Sequence, residues 1–106
     1  MNEEIRQKCI DILDRDNWTC RRCGEPATEV AHRISKGKTG IRWVQNYLMD
    51  VLDIYMPQTE IEILFIHDPD NLAASCKDCN DYFNILYNPE KAKELVKKIA
   101  KKHDLI

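Results

Sequence analysis

A small α+β fold is what this sequence predicts, on three observations. Apolar residues recur at helical spacing near both ends and in the middle of the chain, and two short β-prone runs, TEVAHRI and EIEILFI, lie between them. The 106 residues fit one domain, residues 1–106, yet bury too little surface to be stable without help. Five cysteines, four of them in Cys-x-x-Cys pairs, supply the means for a staple.

Taken in order, residues 2–16 place Ile5, Cys9, Ile12 and Leu13 on one helical stripe, with Glu3 and Glu4 at the end the helix dipole favours. Cys9 lies on that stripe without partner spacing and reads as a buried structural thiol. Asp16-Asn17 break the helix. Trp18 to Gly24 then reads as a tight turn closed by glycine, a knuckle in which two sulfurs face one ion. Thr28–Ile34 reads as a strand, and Ser35–Gly40 as a polar loop.

Residues 41–56 carry Ile41, Val44, Leu48, Val51, Leu52 and Tyr55 at helical spacing until Pro57 stops the pattern, so a second amphipathic helix is expected. Its aromatics Trp43, Tyr47 and Tyr55 are assigned to packing. Glu60–Ile66 alternates and then turns apolar, which suggests a second strand. Asn88-Pro89-Glu90 is a capped start for a last helix, Pro89–His103, with a solvated lysine face. His103 at its end reads as a surface residue.

The net charge of −2 argues against wholesale polyanion binding, but the charges are sorted along the chain. Residues 20–42 hold six Lys/Arg against Glu25 and Glu29, whereas residues 43–70 hold six acids and no Lys or Arg. The basic block surrounds the first cysteine pair and His32, where a phosphate backbone would be met; a solvated basic face is the plain alternative. No stretch has the length of a membrane span, and the first residues lack the pattern of a secretory signal. A cytoplasmic location is expected, where thiols stay reduced and paired knuckles point to a metal.

Cys20/Cys23 and Cys76/Cys79 together make a soft four-thiolate cage that suits zinc better than magnesium or calcium. With all four positions filled by sulfur, such a zinc folds the protein and performs no chemistry. It would also tie the segment before His32 to the segment holding Asn71, Asn80 and Asn84.

These pieces, in this order, carry a resemblance: the Cys20/Cys23 knuckle, VAHRI with His32, HDPDNL with Asn71, and CKDCN with Asn80 look like an HNH endonuclease of the zinc-stapled kind. They cover residues 18–34 and 67–84. The resemblance implies a ββα-metal core with flanking helices, in which a divalent cation assists phosphodiester cleavage. It implies His32 as the general base, suited to the task because the pKa of imidazole lies near working pH. It implies Asn71 as the brace of the loop, and Asn80 and Asn84, spaced i,i+4 on one helix face, as ligands of Mg²⁺ or Mn²⁺. Where relatives often carry Asp or His just before the base, this chain has Ala31. His67 is the favoured extra ligand, with Asp68 and Asp81 as the other candidates.

The leading expectation is therefore a metal-dependent endonuclease acting on DNA, with RNA as the other substrate, that nicks if monomeric and can cut both strands as a homodimer across helix 41–56. The alternatives are a zinc-stapled nucleic-acid-binding module whose catalysis is lost, motivated by Ala31, and a zinc domain for protein interaction, motivated by the acidic balance.

Overall fold

A computed structural model describes residues 3–106. Helix α1 spans Glu3–Arg15, with acids in its first turn, Arg15 in its last, and Ile12 and Leu13 buried. Cys9 is only half-buried. The helix stops where Asn17 and Trp18 take left-handed φ angles of 56° and 53°. The Trp18 indole N–H then donates back to Asp14 Oδ1 at 2.8 Å.

The sheet has two strands. Strand β1, Glu29–His32, runs antiparallel to the strand Leu72–Ser75, pairing Glu29 with Ser75 and His32 with Leu72. The expected second strand, Glu60–Ile66, is not a strand. Gln58–Ile61 is helical and runs into a wider π-type turn at Glu62–Ile66. Ile61 and Phe65, four apart, are buried, while Ile63 is 62% exposed. A short apolar run fits either period, and here one-sided burial against other helices decided for the helix.

The Leu72–Ser75 segment, LAAS, has weak β-propensity. Its strand form is imposed by its neighbours. Ala74 N–H donates to Asp16 Oδ2 at 2.9 Å, Arg21 N–H donates to the Ala74 carbonyl at 3.1 Å, and the Arg15 guanidinium reaches the Leu72 carbonyl at 2.8 Å. The break after α1 thus anchors a strand far along the chain.

Helix α2 covers Lys38–Asp50, starting earlier and ending sooner than residues 41–56. Val51 and Tyr55 lie beyond it and are 57% and 75% exposed, so Tyr55 is not part of the packed stripe. Trp43 and Tyr47 do pack, their rings stacked with centroids 5.6 Å apart. Gly40 is required near the helix start: a Cβ there would overlap the Ser35 carbonyl oxygen and come within 2.8 Å of Ser35 Oγ. The short run from Gln58, labelled α3 through Ile61, precedes a 3₁₀ turn at Pro69–Asn71. Strand Leu72–Ser75 is β2, and a second 3₁₀ turn covers Asn80–Phe83.

Helix α4, Pro89–Lys102, is capped by Asn88, whose side chain accepts from Lys91 N–H. It buries Ala92, Leu95, Val96, Ile99 and Ala100 in the main core with Ile34, Val44, Leu48, Ile61, Phe65 and Ile66. A smaller cluster, Leu13, Ala27 and Ala74, seats α1 on the sheet. His103 is not free at the surface as expected. Its Nε2 lies 3.0 Å from Asp68 Oδ2, and Lys102 Nζ lies 2.8 Å from Asp68 Oδ1. The end of α4 is thereby tied to the loop that carries His67 and Asn71. Among the described residues no helix is long and apolar enough to cross a membrane.

Candidate functional site

The four knuckle cysteines converge, although each pair is local and the pairs are remote in sequence. In the first knuckle Gly24, at φ +82°, lets its N–H return to the Cys20 carbonyl at 2.9 Å. In the second, Cys79 N–H donates to the Cys76 carbonyl at 3.3 Å. Strand pairing between β1 and β2 brings the two turns together. All four Sγ atoms lie within 4.8 Å of one another, and Cys23 and Cys76 sulfurs are 3.7 Å apart. A disulfide would need about 2 Å. A tetrahedron with metal–sulfur bonds of 2.3 Å has edges of about 3.8 Å, so the set can hold a metal such as zinc in a closed structural site.

The thiol acidities support that reading of the donor set. Burial opposes ionisation of Cys20, but N–H groups of Cys23, Cys76 and Arg22 aimed at its sulfur outweigh burial and bring it down to about 6. The N–H of Glu25 favours a Cys23 thiolate, yet burial and the other three sulfurs push this thiol up to about 12. Burial and neighbouring sulfurs likewise raise Cys76. One negative charge is welcome in the cluster and further ones repel, a conflict that a divalent cation removes. Arg22 leans on this corner, with Nη1 3.4 Å from Cys79 Sγ and its guanidinium 3.8 Å over the Tyr82 ring.

Next to the sulfur cluster, His32 ends β1 and opens onto a cavity of about 330 Å³ lined also by Ser35, Lys36, Asn80, Asp81 and Asn84. Four residues singled out in the sequence, His32, Asn80, Asp81 and Asn84, therefore share one cavity. Asn80 and Asn84 do not share a helix face. The segment is a 3₁₀ turn that ends at Phe83, and Asn84 is extended with φ −63° and ψ 120°. The Asn84 Oδ1 accepts from Leu86 N–H at 2.9 Å, which turns it onto its own chain. The Asn80 amide donates to Glu29 Oε1 at 2.8 Å, leaving its carbonyl oxygen for another partner.

His67 takes a different place from the one expected. It is outside the cavity lining and stands behind His32, its Nδ1 3.4 Å from His32 Nε2 and its Nε2 3.7 Å from Glu62 Oε1. One tautomer assignment suits the chain of three: His67 Nε2–H faces the Glu62 carboxylate, and His32 Nε2–H faces His67 Nδ1. His32 Nδ1 then carries a lone pair. Burial, with the charges of His67 and Lys36, brings His32 down to about 4, and burial also lowers His67. His32 is therefore neutral at pH 7, and burial biases His67 toward its neutral form as well.

Asn71 holds both histidines in place. Fully buried, it accepts from Ile34 N–H at 2.8 Å and donates to the carbonyls of Ile34 at 3.1 Å and Ile66 at 2.8 Å. Ile34 follows His32 by two residues and Ile66 directly precedes His67, so one carboxamide sets the spacing of the two rings. Asp68 is separately engaged with Lys102 and His103. Ala31 is fully buried and offers no donor. Glu29, on the same face of β1 by strand alternation, brings a carboxylate to Asn80 instead. Glu29 and Glu62 were not legible as site residues, because nothing in their local sequence marks them; only chain crossing brings them to Asn80 and His67.

Comparison of the chain with protein-family models, with curated proteins and with solved structures found no match.

Proposed function

We propose that the protein is a metal-dependent endonuclease of the HNH kind, hydrolysing phosphodiester bonds of DNA, with zinc in the four-cysteine site. The observation that carries this reading is a neutral His32, backed by His67 and Glu62 and opening onto a polar cavity with Asn80, Asp81 and Asn84. An imidazole with one nitrogen facing a partner and the other bearing a lone pair can take a proton from a water molecule attacking phosphorus. The proton arrives at His32 Nδ1; because burial holds this ring at about 4, below the range expected of a base at working pH, it keeps the proton only briefly. Lys36, in the same cavity, offsets charge on the phosphate.

The cavity offers oxygen donors in Asn80 and Asp81, with Glu29 adjacent to Asn80, and these suit a hard cation such as Mg²⁺ or Mn²⁺. When bound, that cation supplies charge neutralisation of the phosphate and of the leaving oxygen. Asn71 positions the base without touching substrate.

The second reading is a nucleic-acid-binding module without catalysis, favoured by the Asn84 oxygen turned onto Leu86 N–H and by the apolar Ala31. A supercoiled-plasmid nicking assay with Mg²⁺ or Mn²⁺ separates the two. The native protein is expected to give metal-dependent nicks that His32→Ala does not. Equal nicking by both proteins, or none by either, sinks the nuclease reading.

A further inference from the structure

On the other side of the Asn80–Phe83 turn lies a larger cavity, of about 500 Å³. The division follows the chain residue by residue. His32, Asn80, Asp81 and Asn84 line the smaller cavity, whereas Arg33, Tyr82 and Phe83 line the larger one. Neighbouring residues of one strand and one turn thus serve two adjoining concavities.

The larger cavity is basic in a protein of net charge −2. Five cations line it against the single acid Asp70. Not all of that charge is available. Arg15 is committed to Asp16 and to the Pro69 and Leu72 carbonyls, and Lys98 stands 3.9 Å from Asp70. Arg33 and Lys91 have no side-chain ion pair or hydrogen bond among the described residues, and Arg21 acts on Asp16 only through space. Unpaired cations lining one concave surface call for an anion with several charges.

The aromatic lining narrows the choice of anion. Tyr87 is 78% exposed and Tyr82 is 63% exposed, an unusual outlay of apolar surface beside a basic cavity. Arg22 stands over the Tyr82 ring at 3.8 Å while bonded to Cys79 Sγ, so the sulfur cluster steadies that ring as a platform. Basic groups that follow a backbone, alternating with aromatic faces, are the requirements for holding unstacked bases. A duplex keeps its bases stacked inside and presents a convex surface that does not enter a cavity of this size.

We propose that this cavity binds single-stranded nucleic acid, with Arg21, Arg33 and Lys91 meeting phosphates and with Tyr82 and Tyr87 stacking bases. A strand held there runs past the Asn80–Phe83 turn toward His32. As a statement about substrate, that the enzyme prefers single-stranded tracts or overhangs, the inference rests on the nuclease reading. As a statement about binding, it stands without it.

The test is fluorescence anisotropy with a 5′-labelled oligodeoxythymidine of roughly 16 nucleotides, an oligouridine of equal length, and a blunt duplex. It uses zinc-loaded His32→Ala protein without added Mg²⁺ or Mn²⁺, so that cleavage does not intrude. Single strands are expected to bind at least tenfold tighter than the duplex, and the two single-strand arms tell DNA from RNA. Tyr87→Ala is expected to weaken single-strand binding by about tenfold and Tyr87→Phe to restore it, since a base stacks on either ring. Lys91→Ala is expected to reduce the salt dependence by about one phosphate contact. These side chains are exposed, and unchanged thermal melting certifies that each variant is folded. Equal affinity for duplex and single strand, or single-strand binding indifferent to both Tyr87→Ala and Lys91→Ala, overturns the proposal. Nicking by the native protein is read separately: single-strand preference without nicking sinks only the nuclease reading, and nicking without single-strand preference sinks only this one.

Discussion

His32 Nε2 stands 3.4 Å from His67 Nδ1, with the rings edge to face at 76°. The contact gives His32 an orientation, and Glu62 on the far side of His67 gives it a source of negative charge. The arrangement leaves one imidazole nitrogen of the pair pointed at neither partner. It also engages both ring nitrogens of His67, with His32 and with Glu62, away from Asn80.

Cleavage should therefore grade along this chain. His32→Ala is expected to lower the nicking rate by roughly a hundredfold or more, the usual worth of a positioned general base. His67→Ala and Glu62→Gln are expected to lower it less, chiefly in kcat, with KM little changed. Single-turnover rates on plasmid would check the order; a His67→Ala rate equal to native removes His67 from the mechanism.

Stability should depend on pH between the ordinary imidazole value and the folded one. His32 falls from 6.5 to about 4 on folding, so between these values the unfolded chain binds more protons than the folded one. The stabilisation is complete above 6.5 and is lost as pH falls through the folded pKa. Asp68 acts at lower pH. Burial opposes its charge, but Lys102, the Asp70 N–H and His103 keep it below its ordinary 3.8, so its contribution is present above that value and lost beneath it. Melting temperatures should decline from pH 7 to pH 4, more gently in His32→Gln than in the native chain.

Asn71 should be costly to replace. Asn71→Ala strands the N–H and carbonyl of Ile34 and the carbonyl of Ile66 in a buried site, for a loss of about 3 kcal/mol or more. Chemical denaturation measures this directly. A loss below about 1 kcal/mol would mean that water enters and replaces the amide.

Gly40→Ala should destabilise, although alanine is the better helix former by about 1 kcal/mol. The added Cβ meets backbone atoms of Ser35, and overpacking of this kind costs roughly 1–3 kcal/mol. Because Ser35 and Lys36 line the His32 cavity, nicking should fall as well. An unchanged melting temperature would show that the loop yields freely.

Metal removal should unfold the domain. Elemental analysis is expected to find one zinc per chain, and chelation or Cys76→Ser is expected to abolish the cooperative thermal transition, since structural zinc contributes on the order of 10 kcal/mol to folding. A cooperative transition at unchanged temperature after chelation would rule out a structural cage.

Local pattern was enough for several parts of this protein. The cysteine pairs are visible at sight, because a knuckle is a property of four consecutive residues. Helices α1 and α4 follow from periodicity and capping residues, and the motif that contains Asn71 marks the residue whose buried carboxamide ties Ile34 to Ile66. What needed the tertiary structure is everything set by contacts between remote segments. The LAAS strand exists because Asp16, Arg15 and Arg21 anchor it, and Glu60–Ile66 is helical because one side of it is buried. The turn of Asn84 onto Leu86 N–H, the pairing of His67 with His32, and the approach of Glu29 and Glu62 also depend on how chains cross. Sequence spacing determines which donors are near each other along the backbone. Burial and chain crossing decide where those donors point, and here they placed His67 behind His32 and a basic, tyrosine-lined cavity beside it.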